Sequence, residues 1–153
     1  MKRLEKHVAS LETFVENYLH TNPAVTKSTV GWQIDHSLKV INGVASVLQK
    51  SSASDYKKSF NWKRTLFLFI KFIPRGRARA PKTVQATEAI TLQDLKDQFE
   101  KSLNSLDTLR QLDKHANFKH PFFGVLNLKQ SVAFLEIHTN HHLKIVKDCF
   151  KKI

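Results

Sequence analysis

Between Thr29 and Lys50 the chain carries apolar residues over most of a helix circumference. At about 100° per residue, Ile34, Leu38, Ile41, Ala45 and Leu48 form one stripe, and Trp32, Val40 and Val47 form a second. The polar arc is narrow: Asp35, Lys39, Asn42 and Ser46. A helix apolar on nearly every side has to be enclosed by others. This segment therefore predicts the centre of a helical bundle.

Three other segments supply the enclosing faces. In the first, Leu4, Val8, Leu11, Phe14, Val15, Tyr18 and Leu19 recur at threes and fours, and Asn22-Pro23 is expected to end the helix. The third opens at Thr91, whose spacing to Asp94 resembles a capping box, and runs through Leu92, Leu95, Phe99, Leu103, Leu106 and Leu109. The fourth starts near Asn127, with Gln130 three residues on, and continues through Val132, Leu135, Leu143, Val146 and Phe150.

A crossover of roughly 40 residues separates the second and third helices. Its first part, 60–73, predicts a short helix packed by Phe67, Ile70 and Ile73. Its second part, from Pro74 to Lys82, is a loop by its proline and glycine content. The connection 113–126, with His120-Pro121-Phe122-Phe123-Gly124, reads as a buried turn. No segment alternates as a strand does, and none repeats. The expected class is all-α: a four-helix bundle, one domain over residues 1–153, with a long crossover between helices two and three.

Composition narrows the function classes. Four widely spaced glycines leave no phosphate-cradling loop. The single cysteine, Cys149, excludes an intrachain disulfide framework and fits a reducing, cytoplasmic compartment; it reads as a small core residue. The N-terminus lacks the continuous apolar core of an export signal, and Leu66 to Ile73 falls short of the roughly 20 residues a spanning helix needs. No membrane partner is expected.

The net charge of +12 is concentrated. Between Asp55 and Glu88 there is no acid, while bases run from Lys57 to Lys82 and include Arg75, Arg77 and Arg79. That arginine spacing suits capture of a small anion or, as an alternative, a nucleic-acid footprint. No helix-turn-helix, zinc-finger or single-strand recognition pattern accompanies it, which disfavours nucleic acid. The aromatic group Tyr56, Phe60, Trp62, Phe67, Phe69 and Phe72 reads as packing for the crossover.

Histidines carry the chemistry. His36 lies in the second stripe of its helix, one turn from Trp32 and one from Val40, and points inward. His138 and His142 stand one turn apart beside the apolar stripe of the last helix. Two imidazoles at this spacing can bind one ion, and a third from a facing helix leaves positions open for substrate. His141 falls at the edge of the apolar arc, a neighbour of the ligands rather than one of them. His7, His20, His115 and His120 read as surface or turn residues.

Gly31-Trp32-Gln33-Ile34-Asp35-His36, Pro121-Phe122-Phe123-Gly124 and His138-Thr139-Asn140-His141-His142 together resemble the DinB/YfiT-like metal-binding proteins, closest to their large uncharacterised branch. The resemblance covers nearly the whole chain. It implies a four-helix bundle in up-down-down-up order and a divalent ion (Zn²⁺, Ni²⁺, Mn²⁺ or Fe²⁺) held by His36, His138 and His142. Many members place the helix-two ligand about eight residues after the tryptophan, at Val40 here; His36 comes one turn, about 5.4 Å, earlier. Some members transfer groups to or from small thiols. The resulting expectation is a metal-dependent hydrolase or thiol-dependent transferase acting on a small anionic molecule, its alternative a non-enzymatic anion or nucleic-acid module on 57–82. Assembly state is left open, with a homodimer among the options.

Overall fold

Helix α2, Val30–Lys50, is the axis of the structure. The computed structural model describes residues 1–75 and 90–151. Around α2 stand α1 (Lys2–Glu12), α3 (Trp62–Ile70), α4 (Leu92–Gln111) and α5 (Leu128–Cys149), with a two-stranded sheet of β1 (Asn117–His120) and β2 (Gly124–Asn127). The molecule is thus mostly helical with one small hairpin. Helix α2 packs against α4 and α5, and α1 lies mainly on α5. Ile34, Leu38, Ile41 and Leu48 are fully enclosed, as the first stripe requires, and meet Leu4, Leu11, Leu95, Leu109, Leu135 and Val146 in one core.

The caps follow the sequence. Thr29 accepts the Trp32 N–H and starts α2. Thr91 and Asp94 form a reciprocal capping box at α4, and Asn127 and Gln130 form another at α5. Two residues of the predicted polar arc of α2, Asp35 and Asn42, do not face water. Asp35 is buried and pairs with Lys39 at 2.7 Å. Asn42 donates to Gln98 at 2.8 Å and accepts from Ser102 and Ser105. A polar seam therefore joins α2 to α4 with its hydrogen bonds made inside the protein.

Three expectations are corrected. The first helix ends at Glu12, eleven residues before Pro23, and a 3-10 turn at Val15–Asn17 continues its apolar pattern. That turn is needed because Gly31 comes against it: its N–H donates to the Tyr18 carbonyl at 2.7 Å. A Cβ at Gly31 would lie 2.9 Å from that oxygen, which only glycine avoids.

The segment 113–126 is a hairpin with Pro121 and Phe122 exposed rather than a buried turn, in register Asn117 to Asn127 and His120 to Gly124. Gly124 has φ 67°, and the His120 Nδ1 accepts the Phe122 and Phe123 N–H groups, which closes the turn. Ser51 ties this hairpin to the end of α2 by accepting the Asn117 N–H at 2.9 Å.

The crossover helix exists but faces differently from expectation. Phe67 alone packs well, stacked on Phe123 and near Phe134. Ile70 is 54% exposed, and Phe60, Trp62, Phe69 and Phe72 also face solvent. Arg64 is the buried anchor instead, donating to the Val125 carbonyl at 2.6 Å and to the Ser59 carbonyl. Arg77 and Arg79 lie outside the described residues; Arg75 is described and pairs with Asp148 at 2.6 Å.

Candidate metal centre

Two helix faces meet at the site. On α2, His36 follows Trp32 by one turn, and the two rings stack at 5.0 Å with 7° between their planes. On α5, His138 and His142 lie one turn apart with ring centroids 4.6 Å apart. His36 stands 5.2 Å from His138 and 4.8 Å from His142. Each ring offers one nitrogen, and the three nitrogens lie within 4.8 Å of one another. His36 thus joins the pair despite its position one turn before Val40. Gly31 seating the start of α2 against Tyr18, and Trp32 lying flat on the imidazole, set that register.

Burial gives the cluster its electrostatics. His36 and His142 are buried, and His138 is partly open. Burial, reinforced by His36, His141 and His120, holds the His138 pKa well below the ordinary histidine value. Burial and the neighbouring His138 and His36 do the same for His142. Both rings are therefore neutral near pH 7, with a lone pair available to a cation.

A polar support stands behind His142. Its Nδ1 donates to Gln33 Oε1 at 2.7 Å, and the Gln33 amide N–H donates to Thr26 Oγ1 at 3.3 Å. With the amide oriented by Thr26, the carbonyl faces the histidine, so the proton sits on Nδ1 and the Nε2 lone pair is free. Gln33 is 3% exposed. His138 Nδ1 is buried with no hydrogen-bond partner among the described residues. Three convergent imidazoles, one with an orphaned buried nitrogen and one with its tautomer set, fit a divalent cation.

His141 lies edge-on to His142 at 5.1 Å and lines a recess together with Ile73 of the crossover. It is a neighbour of the cluster and a link to the crossover, not one of the three convergent rings. His120 was read as a turn residue, yet it belongs to the site's surroundings. Its ring stacks on Phe123 at 4.4 Å and meets Phe134 at 4.8 Å, and burial lowers its pKa to about 4. Phe134 in turn lies 5.7 Å from His138. His20 also does more than expected of a surface residue: its Nε2 is hydrogen-bonded to the Cys149 carbonyl at 3.1 Å. Cys149 itself is a buried core residue, its thiol pKa raised by burial.

Gln33 is the residue that sequence reasoning missed. Its signal was an amide among the enclosed positions of α2, three residues before His36, where an unpaired polar group would be costly.

The family model of the DinB superfamily matches residues 2–146. The chain belongs to the DinB superfamily. The match includes all three convergent histidines of this DinB-superfamily chain, and Gln33 with them. No curated protein and no solved structure matches it.

Proposed function

We propose that this DinB-superfamily protein binds one divalent metal ion through His36, His138 and His142 and uses it to act on a small anionic molecule. The observation that carries the reading is the convergence of three ring nitrogens from two helices within 4.8 Å. When bound, such an ion supplies Lewis acidity and lowers the pKa of a water or thiol. The residues present hold and orient: Gln33 keeps the His142 proton on Nδ1, Trp32 fixes the His36 ring plane, and Phe134 walls the His138 side. Among the described residues no carboxylate joins the three imidazoles, so the ion would keep its full charge and favour thiolate or carboxylate ligands. The reaction class is a hydrolysis or a thiol-dependent transfer.

In the same reading α1, α2, α4 and α5 make a four-helix bundle in up-down-down-up order within one cytoplasmic domain, α3 riding in the crossover. Among the described residues no helix is long and apolar enough to cross a membrane.

Elemental analysis tests the proposal. Protein purified without a histidine tag and incubated with Zn²⁺, Ni²⁺ or Mn²⁺ is expected to carry one ion per chain. The His138→Ala/His142→Ala variant is expected to carry none. Substoichiometric metal in the parent, or equal metal in the variant, overturns the reading.

One observation favours a rival: Lys57, Lys58, Lys63 and Lys71 are exposed beside the exposed rings of Phe60, Trp62 and Phe69. A non-enzymatic module built on 57–82 would bind polyanions such as nucleic acid with steep salt dependence. Polyanion binding that is unchanged by salt, or absent, removes that rival.

A further inference from the structure

A small recess lies next to the histidine cluster, between the chain leaving α3 and the outer face of α5. Its volume is about 60 Å³, and Lys71, Arg75, Asn140, His141 and Lys144 supply its polar lining. Among the described residues no acidic side chain lines it. On α5, Asn140, His141 and Lys144 share one face, and His138 and His142 occupy the adjacent one. His141 belongs to both neighbourhoods: it helps line the recess, where Ile73 of the crossover forms part of the opposite wall, and its ring abuts His142 at 5.1 Å.

The backbone at Lys71 gives a second, independent observation. Lys71 ends α3 in the left-handed conformation, φ 54° and ψ 37°, and is the one non-glycine residue with positive φ among those described. Glycine fills such helix-ending positions without steric cost, and a lysine there is strained. Strain retained at a position is a pointer to function when the side chain has a task. Here the Lys71 side chain lines the recess.

Two of the three basic side chains that meet there, Lys71 and Lys144, are not neutralised. Arg75 already holds a carboxylate, that of Asp148, which Lys151 also grips at 2.7 Å. Lys71 and Lys144 have no acidic partner among the described residues. A water needs about 10–15 Å³ measured in this way, so the recess admits a group of a few heavy atoms and excludes a nucleobase or sugar.

We infer that this recess is an oxyanion subsite, which takes a carboxylate or phosphate group of the small anionic molecule and sets the rest of it against the three histidines. The inference rests on the metal-binding reading above for its role in a reaction, and on Lys71, Lys144 and Asn140 for binding itself. Charge-assisted hydrogen bonds to a partly enclosed anion supply the affinity.

Inorganic phosphate and acetate, titrated separately into the ¹⁵N-labelled full-length protein, test it. Saturable shifts are expected at the Asn140 side-chain amide and the Lys71 backbone amide. Loss of one charged hydrogen bond predicts that Lys71→Gly and Lys144→Ala each weaken binding by about tenfold or more. Lys71→Gly is also expected to raise the melting temperature, because it releases the left-handed strain. That keeps the test from being a folding defect. Lys101→Ala, on the exposed face of α4, serves as the charge control and should leave binding unchanged.

Shifts with either anion support the subsite, and shifts with only one name its preferred group. Absence of saturable shifts with both, or equal weakening by Lys101→Ala, overturns it. Metal content measured on the same samples separates the two ideas. Metal without phosphate or acetate binding ends the subsite alone, and anion binding without metal ends the metal reading alone.

Discussion

The α2–α5 interior and the crossover around α3 use the same kinds of residue to opposite ends. Between α2 and α5, an aromatic ring covers each side of the cluster, Trp32 on His36 and Phe134 beside His138. In the crossover, Trp62 is 61% exposed and Phe69 is 84% exposed. Basic residues divide the same way, since Arg64 is buried with its donors matched to carbonyls while Lys71 and Lys144 face an uncompensated recess. Periodicity says which residues share a face. Whether that face is covered depends on what the rest of the chain brings to it. Helix α2 is 21 residues long and is flanked by two long helices; α3 is nine residues long and rests on α5 and the hairpin through Phe67.

Four measurements break or sharpen that contrast. The largest effect is expected for Leu38→Ala, which opens a cavity at a fully enclosed site and should cost about 2–5 kcal/mol in denaturant unfolding. A loss under about 1 kcal/mol would show that the α2 core collapses around the gap and is no better packed than the crossover.

Next is Gln33→Leu, which keeps the volume and removes the acceptor for His142. Metal affinity should fall about 10–100-fold, with the His142 tautomer changing in ¹⁵N spectra. Unaltered affinity would mean that the helix alone aims the ring.

The third effect is pH dependence, measured on metal-free protein. The folded-state pKa of His120 is about 4, below its ordinary 6.5. As pH falls, the unfolded chain therefore takes up the proton first. Stability should hold above pH 6.5 and decline down to about pH 4, and His138 and His142 act in the same sense. His120→Asn, which can still accept from the turn, should flatten part of that slope; an identical slope would place the burial effect elsewhere.

The smallest expected change is for Phe69→Ser on the exposed face of α3, within about 0.5 kcal/mol. A larger destabilisation would show that this face is covered in solution.

Much of the interior was legible. The Thr29 start of α2, the capping boxes at Thr91 and Asn127 and the inward histidines follow from spacing alone, because a helix converts sequence intervals directly into directions. The hairpin was not legible: each strand is four residues long, too short to display alternation, and the turn is closed by a histidine nitrogen rather than by a familiar turn pair. The end of α1 was hidden because a 3-10 turn preserves the apolar spacing past Glu12. Gln33 escaped notice because its value depends on a partner 109 residues away. Solvent exposure in the crossover was misjudged for a related reason, since an apolar face does not reveal whether anything lies opposite.

The junction between hairpin and last helix has a mechanical consequence. Asn127 is both the final residue of β2 and the cap of α5, with no linker between them. The sheet therefore acts as an index for the rotation of the helix. One residue inserted after Asn127 would turn every later side chain by about 100° about the helix axis. His138 and His142 would then swing out of phase with His36, each intact and correctly spaced from the other, while the hairpin and the helix both still formed.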